Sequence, residues 1–185
     1  MWGAMIRNFP TDRRIMEVNI MKKYFIIPTA LFLMIGILLV PLASAATYYI
    51  SSVHSYGTYG AGTVSNPSNI TGSSPNNAYA RIRGVSSSGD GGYIIGLTNA
   101  AVPAGSTVKI YAFSAYGYYS RVHVYVSYYS DGPWYEVGSG LTVSSGPDWY
   151  NFGYTTQNYR YVAVASIYEG GQPTDVYIDC VQITT

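Results

Sequence analysis

What this chain has little of narrows it first. Of its 185 residues one is cysteine, two are histidine and one in ten is charged. A lone cysteine excludes an intrachain disulfide, so stability has to come from a hydrophobic core. Cys180 stands in the apolar run "VYIDCVQI" and reads as a small buried hydrophobe, with an intermolecular disulfide as the other reading. His54 and His123 alone, with no second cysteine, are too few for a zinc site. No serine stands in a nucleophile-elbow setting, and the acids fall mostly in turns, where Asp favours the backbone geometry on its own account. No catalytic residue is therefore assigned, and the chain is not expected to be an enzyme; a glycosidase built on two opposed carboxylates is the minor alternative.

A strong excess of either charge is missing too. From residue 46 onward Arg81, Arg83, Lys109, Arg121 and Arg160 face Asp90, Asp131, Glu136, Asp148, Glu169, Asp175 and Asp179, a formal balance of −2. That excludes the basic stripe a nucleic-acid partner requires. The one long apolar run, Tyr24 to Val40, follows the basic Met21-Lys22-Lys23 and precedes Pro41-Leu42-Ala43-Ser44-Ala45, a small-x-small ending. This order predicts a signal peptide over 21–45, cut after Ala45, with 1–20 an extended n-region or a misassigned start; an uncleaved anchor is the alternative. Either way the remainder is expected outside the cytoplasm, secreted or at the cell surface, and the mature form is not expected in a membrane.

What is abundant is tyrosine and glycine. The chain has 21 tyrosines, all but Tyr24 after residue 46, the composition of an extracellular all-β domain with wet aromatic surfaces. Nine strands are predicted: Thr47 to Val53, Ala78 to Gly84, Gly92 to Leu97, Thr107 to Ala115, Arg121 to Tyr129, Trp134 to Gly138, Trp149 to Thr155, Tyr159 to Tyr168 and Val176 to Ile183. Helical period, helix caps, heptads and internal repeats are absent. In "RVHVYVS" valines alternate with Arg121, His123, Tyr125 and Ser127, so Val122, Val124 and Val126 form a core face, as do Val162 and Val164 later. The expected fold is an antiparallel β-sandwich, or jelly roll, of eight to nine strands. It has a first strand and Gly/Tyr-rich segment over 46–63 and a body over 64–185.

The order of "NPSNITGSSPNNAYARI" (Asn66 to Ile82), "SDGPWYEVG" (Ser130 to Gly138), "DWYNFGY" (Asp148 to Tyr154), "YRYVAV" (Tyr159 to Val164) and "YIDCVQI" (Tyr177 to Ile183) resembles the galactose-binding-like jelly rolls, the superfamily of discoidin domains and many carbohydrate-binding modules. The resemblance implies a noncatalytic sandwich that presents loops to glycans or other surface ligands. The chain departs from it in lacking the discoidin cysteine pair and any ligand-loop motif of a specific member.

If every strand crosses the sandwich, the turns carrying Asp90, Tyr116, Tyr118 and Tyr119, Asp148 with Trp149, and Glu169 through Asp175 collect at one end. Tyrosines beside acids suit a sugar, since ring faces stack on C–H surfaces and carboxylates accept hydroxyl hydrogen bonds; the same acids suit a structural Ca²⁺, and no other cofactor is implied. The alternative is a set of solvated turns. "HSYGTYGAG" (His54 to Gly62) is a second candidate, either a binding loop with Tyr56 and Tyr59 at its tip or a tether hinged at Gly57, Gly60 and Gly62. A tether would let the first strand pair with a neighbouring molecule, giving a self-associating subunit of a filament, sheath or surface layer as the rival to a glycan-binding module. Asn69-Ile70-Thr71 fits a glycosylation sequon.

Overall fold

The computed structural model describes residues 45–115 and 120–185, so the expected signal peptide, apart from its last residue Ala45, lies outside the described residues. Eleven strands form among the described residues, every pairing between them antiparallel: β1 (Thr47–Tyr59), β2 (Thr63–Ser65), β3 (Ala80–Gly84), β4 (Gly91–Val102), β5 (Thr107–Ser114), β6 (Arg121–Ser127), β7 (Tyr135–Glu136), β8 (Leu141–Thr142), β9 (Asp148–Tyr154), β10 (Tyr159–Ile167) and β11 (Thr174–Thr184). Pro67–Ile70 adds one 3₁₀ turn, and no α-helix occurs among the described residues.

Two layers result. In the front sheet β4 lies between β1 and β10, β10 pairs with β6, and the short β7 and β8 pair with β6. In the back sheet β3 and β5 flank β11, with β2 outside β3 and β9 outside β5. β1 joins the layers: Thr47–Tyr49 pair with β11, and from Ile50 onward the strand pairs with β4, with register shifts between Ile50 and Ser52 and between Val53 and Ser55 where it changes partner. Such irregularities let one strand turn a corner between sheets.

The valine alternation sets the inner face. Val122, Val124 and Val126 are buried, and Val124 pairs with Val164, which pairs with Ile94. They form one core cluster with Ile82, Val108, Ile110, Val176 and Ile178 from the back sheet. Each such side chain contributes about 1.5–3 kcal/mol by leaving water. Cys180 is buried, and that burial, helped by Asp179, pushes its thiol up to about 12, so it is an inert thiol of the interior. Asp179 accepts the Asn76 and Asn77 N–H groups, 2.7 Å from the latter, which ties the "NPSNITGSSPNNAYARI" loop to β11.

Three expectations about strands change. β2 and β8 join the expected nine because strands of two or three residues carry no period to read. The expected strand Trp134 to Gly138 shortens to Tyr135–Glu136. Residues 54–59, expected as a loop or tether, continue β1 along β4 to the pair Tyr59–Gly91. The glycines there mark close approach, not a hinge: a Cβ on Gly57 would lie 2.6 Å from the Tyr93 hydroxyl, and one on Gly62 would strike the Gly91 backbone. The sheet edges are blunt. β2, β7 and β8 have two or three residues, and β9 is bulged opposite Val108 and Lys109, with Asn151 taking the Gly153 N–H.

Candidate functional site: an aromatic groove on the front sheet

Because cross-strand partners share a face, the outer surface of the front sheet can be read rung by rung. One rung runs Gly57–Tyr93–Ala165–His123, the next Ser55–Ile95–Ala163–Tyr125–Glu136. Each places a small residue of β10 between larger residues of β4 and β6. Ala163 and Ala165 thus form a low floor, and Tyr93 and Ile95 rise on one side with Tyr125 on the other. Tyr59 and Trp134 complete the lining of a groove of about 470 Å³. Tyr59 stands against Tyr93 with ring centroids 5.5 Å apart and planes tilted by 45°.

Burial and then Tyr93 raise the Tyr59 hydroxyl above its ordinary value, and burial followed by Glu136 raises that of Tyr125. Both phenols therefore stay protonated at neutral pH, available as donors and acceptors beside apolar ring faces.

The groove ends in charge. His123 lies 6.3 Å from Tyr125, ring on ring at 14°, with Nδ1 2.7 Å from Glu136 and Nε2 3.2 Å from Glu169. The Arg121 Nε donates to the Gly140 carbonyl at 3.2 Å and lies 3.6 Å from Glu169. Beyond this cluster opens a second cavity, of about 630 Å³, lined by Arg121, Thr142, Ile167, Glu169, Gly170 and Gln172.

Among the described residues, two pairs of the segments expected at one end of the sandwich are linked by hydrogen bonds. The Gly89 N–H donates to the Tyr168 carbonyl and the Tyr168 N–H to that of Asp90; the Ala115 N–H donates to the Asp175 carbonyl and the Asp175 N–H to Ser120 Oγ. Asp148 pairs with Ala112 close by. Two of the acids there are committed to structure. Asp90 is buried and takes the Ala61 and Ser87 N–H groups at 2.8 Å each. The Ala61 bond foremost, against the opposing effect of burial and aided by Ser87, holds its carboxyl below the ordinary 3.8. Asp175 is gripped by the Arg81 Nε and Nη2 at 2.7 and 2.6 Å, with Arg83 at 3.5 Å. Asp148 is exposed and accepts the Trp149 N–H, and Trp149 packs on Tyr111 of the back sheet.

Of the other sequence candidates, Glu169 joins the charged cluster and Tyr59 the groove, while Tyr56 is exposed outside the groove lining. Tyr116, Tyr118 and Tyr119 lie outside the described residues. The Asn69 amide donates to the Tyr79 carbonyl at 3.2 Å. Among the described residues no group of three His, Cys, Asp or Glu side chains is arranged to hold a metal ion.

Sequence reasoning did not assemble Tyr93, Tyr125 and Trp134, which come from three separate segments. A signal was present: β10 alternates buried valines with outward alanines, and alanine on an outer sheet face leaves a trough wherever its cross-strand neighbours are large.

No protein-family model and no curated protein matches the chain. Among solved structures it is similar to a family 29 carbohydrate-binding module from Piromyces equi, with 12% identity and a TM-score of 0.48 over 77% of this chain and 92% of that one. It is also similar to chitosan-binding module 1 of a chitosanase/glucanase from Paenibacillus sp. IK-5, with 21% identity and a TM-score of 0.46 over 76% of this chain and 92% of that one. A third is a pectin-binding carbohydrate-binding module, with 15% identity and a TM-score of 0.47 over 68% of this chain and 89% of that one.

Proposed function

We propose that this protein is a noncatalytic glycan-binding module that works outside the cytoplasm and holds its ligand in the front-sheet groove. The observation that carries the reading is the groove itself: Tyr59, Tyr93, Tyr125 and Trp134 stand around a floor of Ala163 and Ala165. Sugar rings present C–H faces that pack on aromatic rings and hydroxyls that need donors and acceptors, and this lining offers both. On this reading the binding surface is the sheet, where the sequence pointed to loops. Export is supported by the basic, apolar and small-residue order of 21–45, and among the described residues no helix is long and apolar enough to cross a membrane.

The rival reading, a filament subunit joined by strand donation, finds less support. β1 spends its length on β11 and β4 of its own chain, and the outer strands are short or bulged.

Affinity electrophoresis and calorimetry against a panel of plant, algal and bacterial polysaccharides test the proposal. At least one glycan should bind, and Trp134→Ala should weaken it at least tenfold or so, the effect of losing a central aromatic anchor. A protein that ignores the whole panel, or a Trp134→Ala variant that binds as the parent does, contradicts it.

A further inference from the structure

The polar cavity and the aromatic groove share the outer side of β10. Ala165 lines the groove and Ile167 the cavity. They are two residues apart on the outer side of β10, hence about 7 Å from one another along the strand. On β6 the same step leads from His123, stacked on the groove's Tyr125, to Arg121 in the cavity wall. Glu169 touches both, 3.2 Å from His123 and 3.6 Å from Arg121. The two spaces are therefore adjacent stations along one strand, with the His123–Glu169 contact at their boundary.

The polar groups at that boundary are partnered among themselves. Glu169 has Arg121 and His123, and Glu136 has His123. A carboxylate on the ligand would come up against Glu136 and Glu169, and an ammonium group would come up against Arg121. Each would lose water to meet a like charge, at a group that already has a partner within the cluster. Uncharged hydroxyls meet no such penalty, and Thr142, Gln172 and the Arg121–Glu169 pair offer them donors and acceptors in both senses.

Building on the groove reading above, we infer that the polar cavity is the continuation of the groove, and that the two together take an internal stretch of a linear, uncharged glycan laid along β10. The aromatic half grips ring faces and the polar half reads hydroxyls. Affinity then depends on chain length, and it is lost in two separable parts.

The test is calorimetry of the purified protein with cello- and manno-oligosaccharides from disaccharide to hexasaccharide, with chitosan and polygalacturonate as charged probes. Affinity for at least one neutral series should climb with length and then level off. Thr142→Ala and Gln172→Ala should each weaken the hexasaccharide roughly three- to tenfold, the loss of one hydrogen bond, and leave the disaccharide unchanged. Trp134→Ala should weaken both lengths. Length-independent affinity, or full hexasaccharide affinity in a Thr142→Ala/Gln172→Ala double variant, overturns the inference while a Trp134→Ala loss keeps the groove reading. Preference for chitosan or polygalacturonate overturns the uncharged class. No binding to any probe, or binding indifferent to Trp134→Ala, removes the groove reading and this inference with it.

Discussion

Both outer faces of this sandwich are rich in aromatic residues, and the two use them differently. On the back sheet Phe113 and Tyr177 stack at 4.7 Å with planes 5° apart, Tyr79 meets both edge-on, Trp149 packs on Tyr111, and Arg81 lies over the Tyr177 ring at 5.1 Å. Those rings spend their faces on one another. On the front sheet Ala163 and Ala165 stand between Tyr93 and Tyr125, so the rings line a groove. The same tyrosine-rich composition gives an internal brace in one place and a receptive surface in the other. The difference is the size of the residue set between the rings.

The sharpest way to break this contrast is to fill the floor. Ala165→Trp should occupy the groove and reduce glycan affinity by about a hundredfold or more, some 2.7 kcal/mol. Its melting temperature should stay near that of the parent, since the new ring enters open space; retained binding on the same calorimetric titration would show that the ligand sits elsewhere.

The next largest effect contrasts two carboxylates that look alike in sequence. Removing Asp175, whose side chain is 3% exposed, breaks its paired bonds with Arg81 and should cost roughly 3 kcal/mol in denaturant unfolding, the lower end for a buried pair because Arg81 keeps 35% of its exposure. Glu169→Ala, losing contacts between groups each more than 40% exposed in the Arg121 pair, should cost about 1 kcal/mol or less. Equal costs would mean that Glu169 braces the fold as Asp175 does.

A smaller effect is expected from the back-sheet stack. Phe113→Ala should lower stability by about 2 kcal/mol, less than a fully buried ring, and leave glycan affinity untouched. A loss of affinity with unchanged stability would make the back face the receptive one.

Smallest is a pH effect confined to acid. Asp90 has its carboxyl held below the ordinary 3.8, so its contribution is complete above that value and disappears as the pH falls below it toward the depressed native value. Melting curves recorded on either side of that point should show Asp90→Asn losing less stability than the parent on acidification; parallel losses would remove the Ala61 and Ser87 bonds from the account.

How far the sequence reaches can be judged from single strands. The alternation in "RVHVYVS" is visible by eye, and it places Val122, Val124 and Val126 inside because burial rewards a period of two over a whole strand. The end of β1 was not visible in the same way. Glycines at 57, 60 and 62 look like a flexible loop until Tyr93 and Gly91 are known to press against two of them. The groove was harder still, because it depends on the registers of β1, β4, β10 and β6 across more than a hundred residues of chain. The acids that looked like ligands at the end of the sandwich show the converse problem. Asp90 stands in a turn and takes the N–H of Ser87 three residues before it, but Ala61 is far off in sequence; Asp175, expected in a turn, lies in β11 and is held by Arg81, a partner no local pattern names.

Each face carries one tryptophan, Trp134 in the groove and Trp149 on the back sheet, and this allows the most direct test. With Trp2 also changed to Phe, fluorescence is recorded as a bound glycan is titrated into two variants, Trp149→Phe and Trp134→Phe. A saturable change in intensity and emission maximum is expected for Trp149→Phe, which keeps the groove indole, and a flat trace for Trp134→Phe. A flat trace for Trp149→Phe with a saturable one for Trp134→Phe would place the ligand on the stacked face and contradict the groove reading.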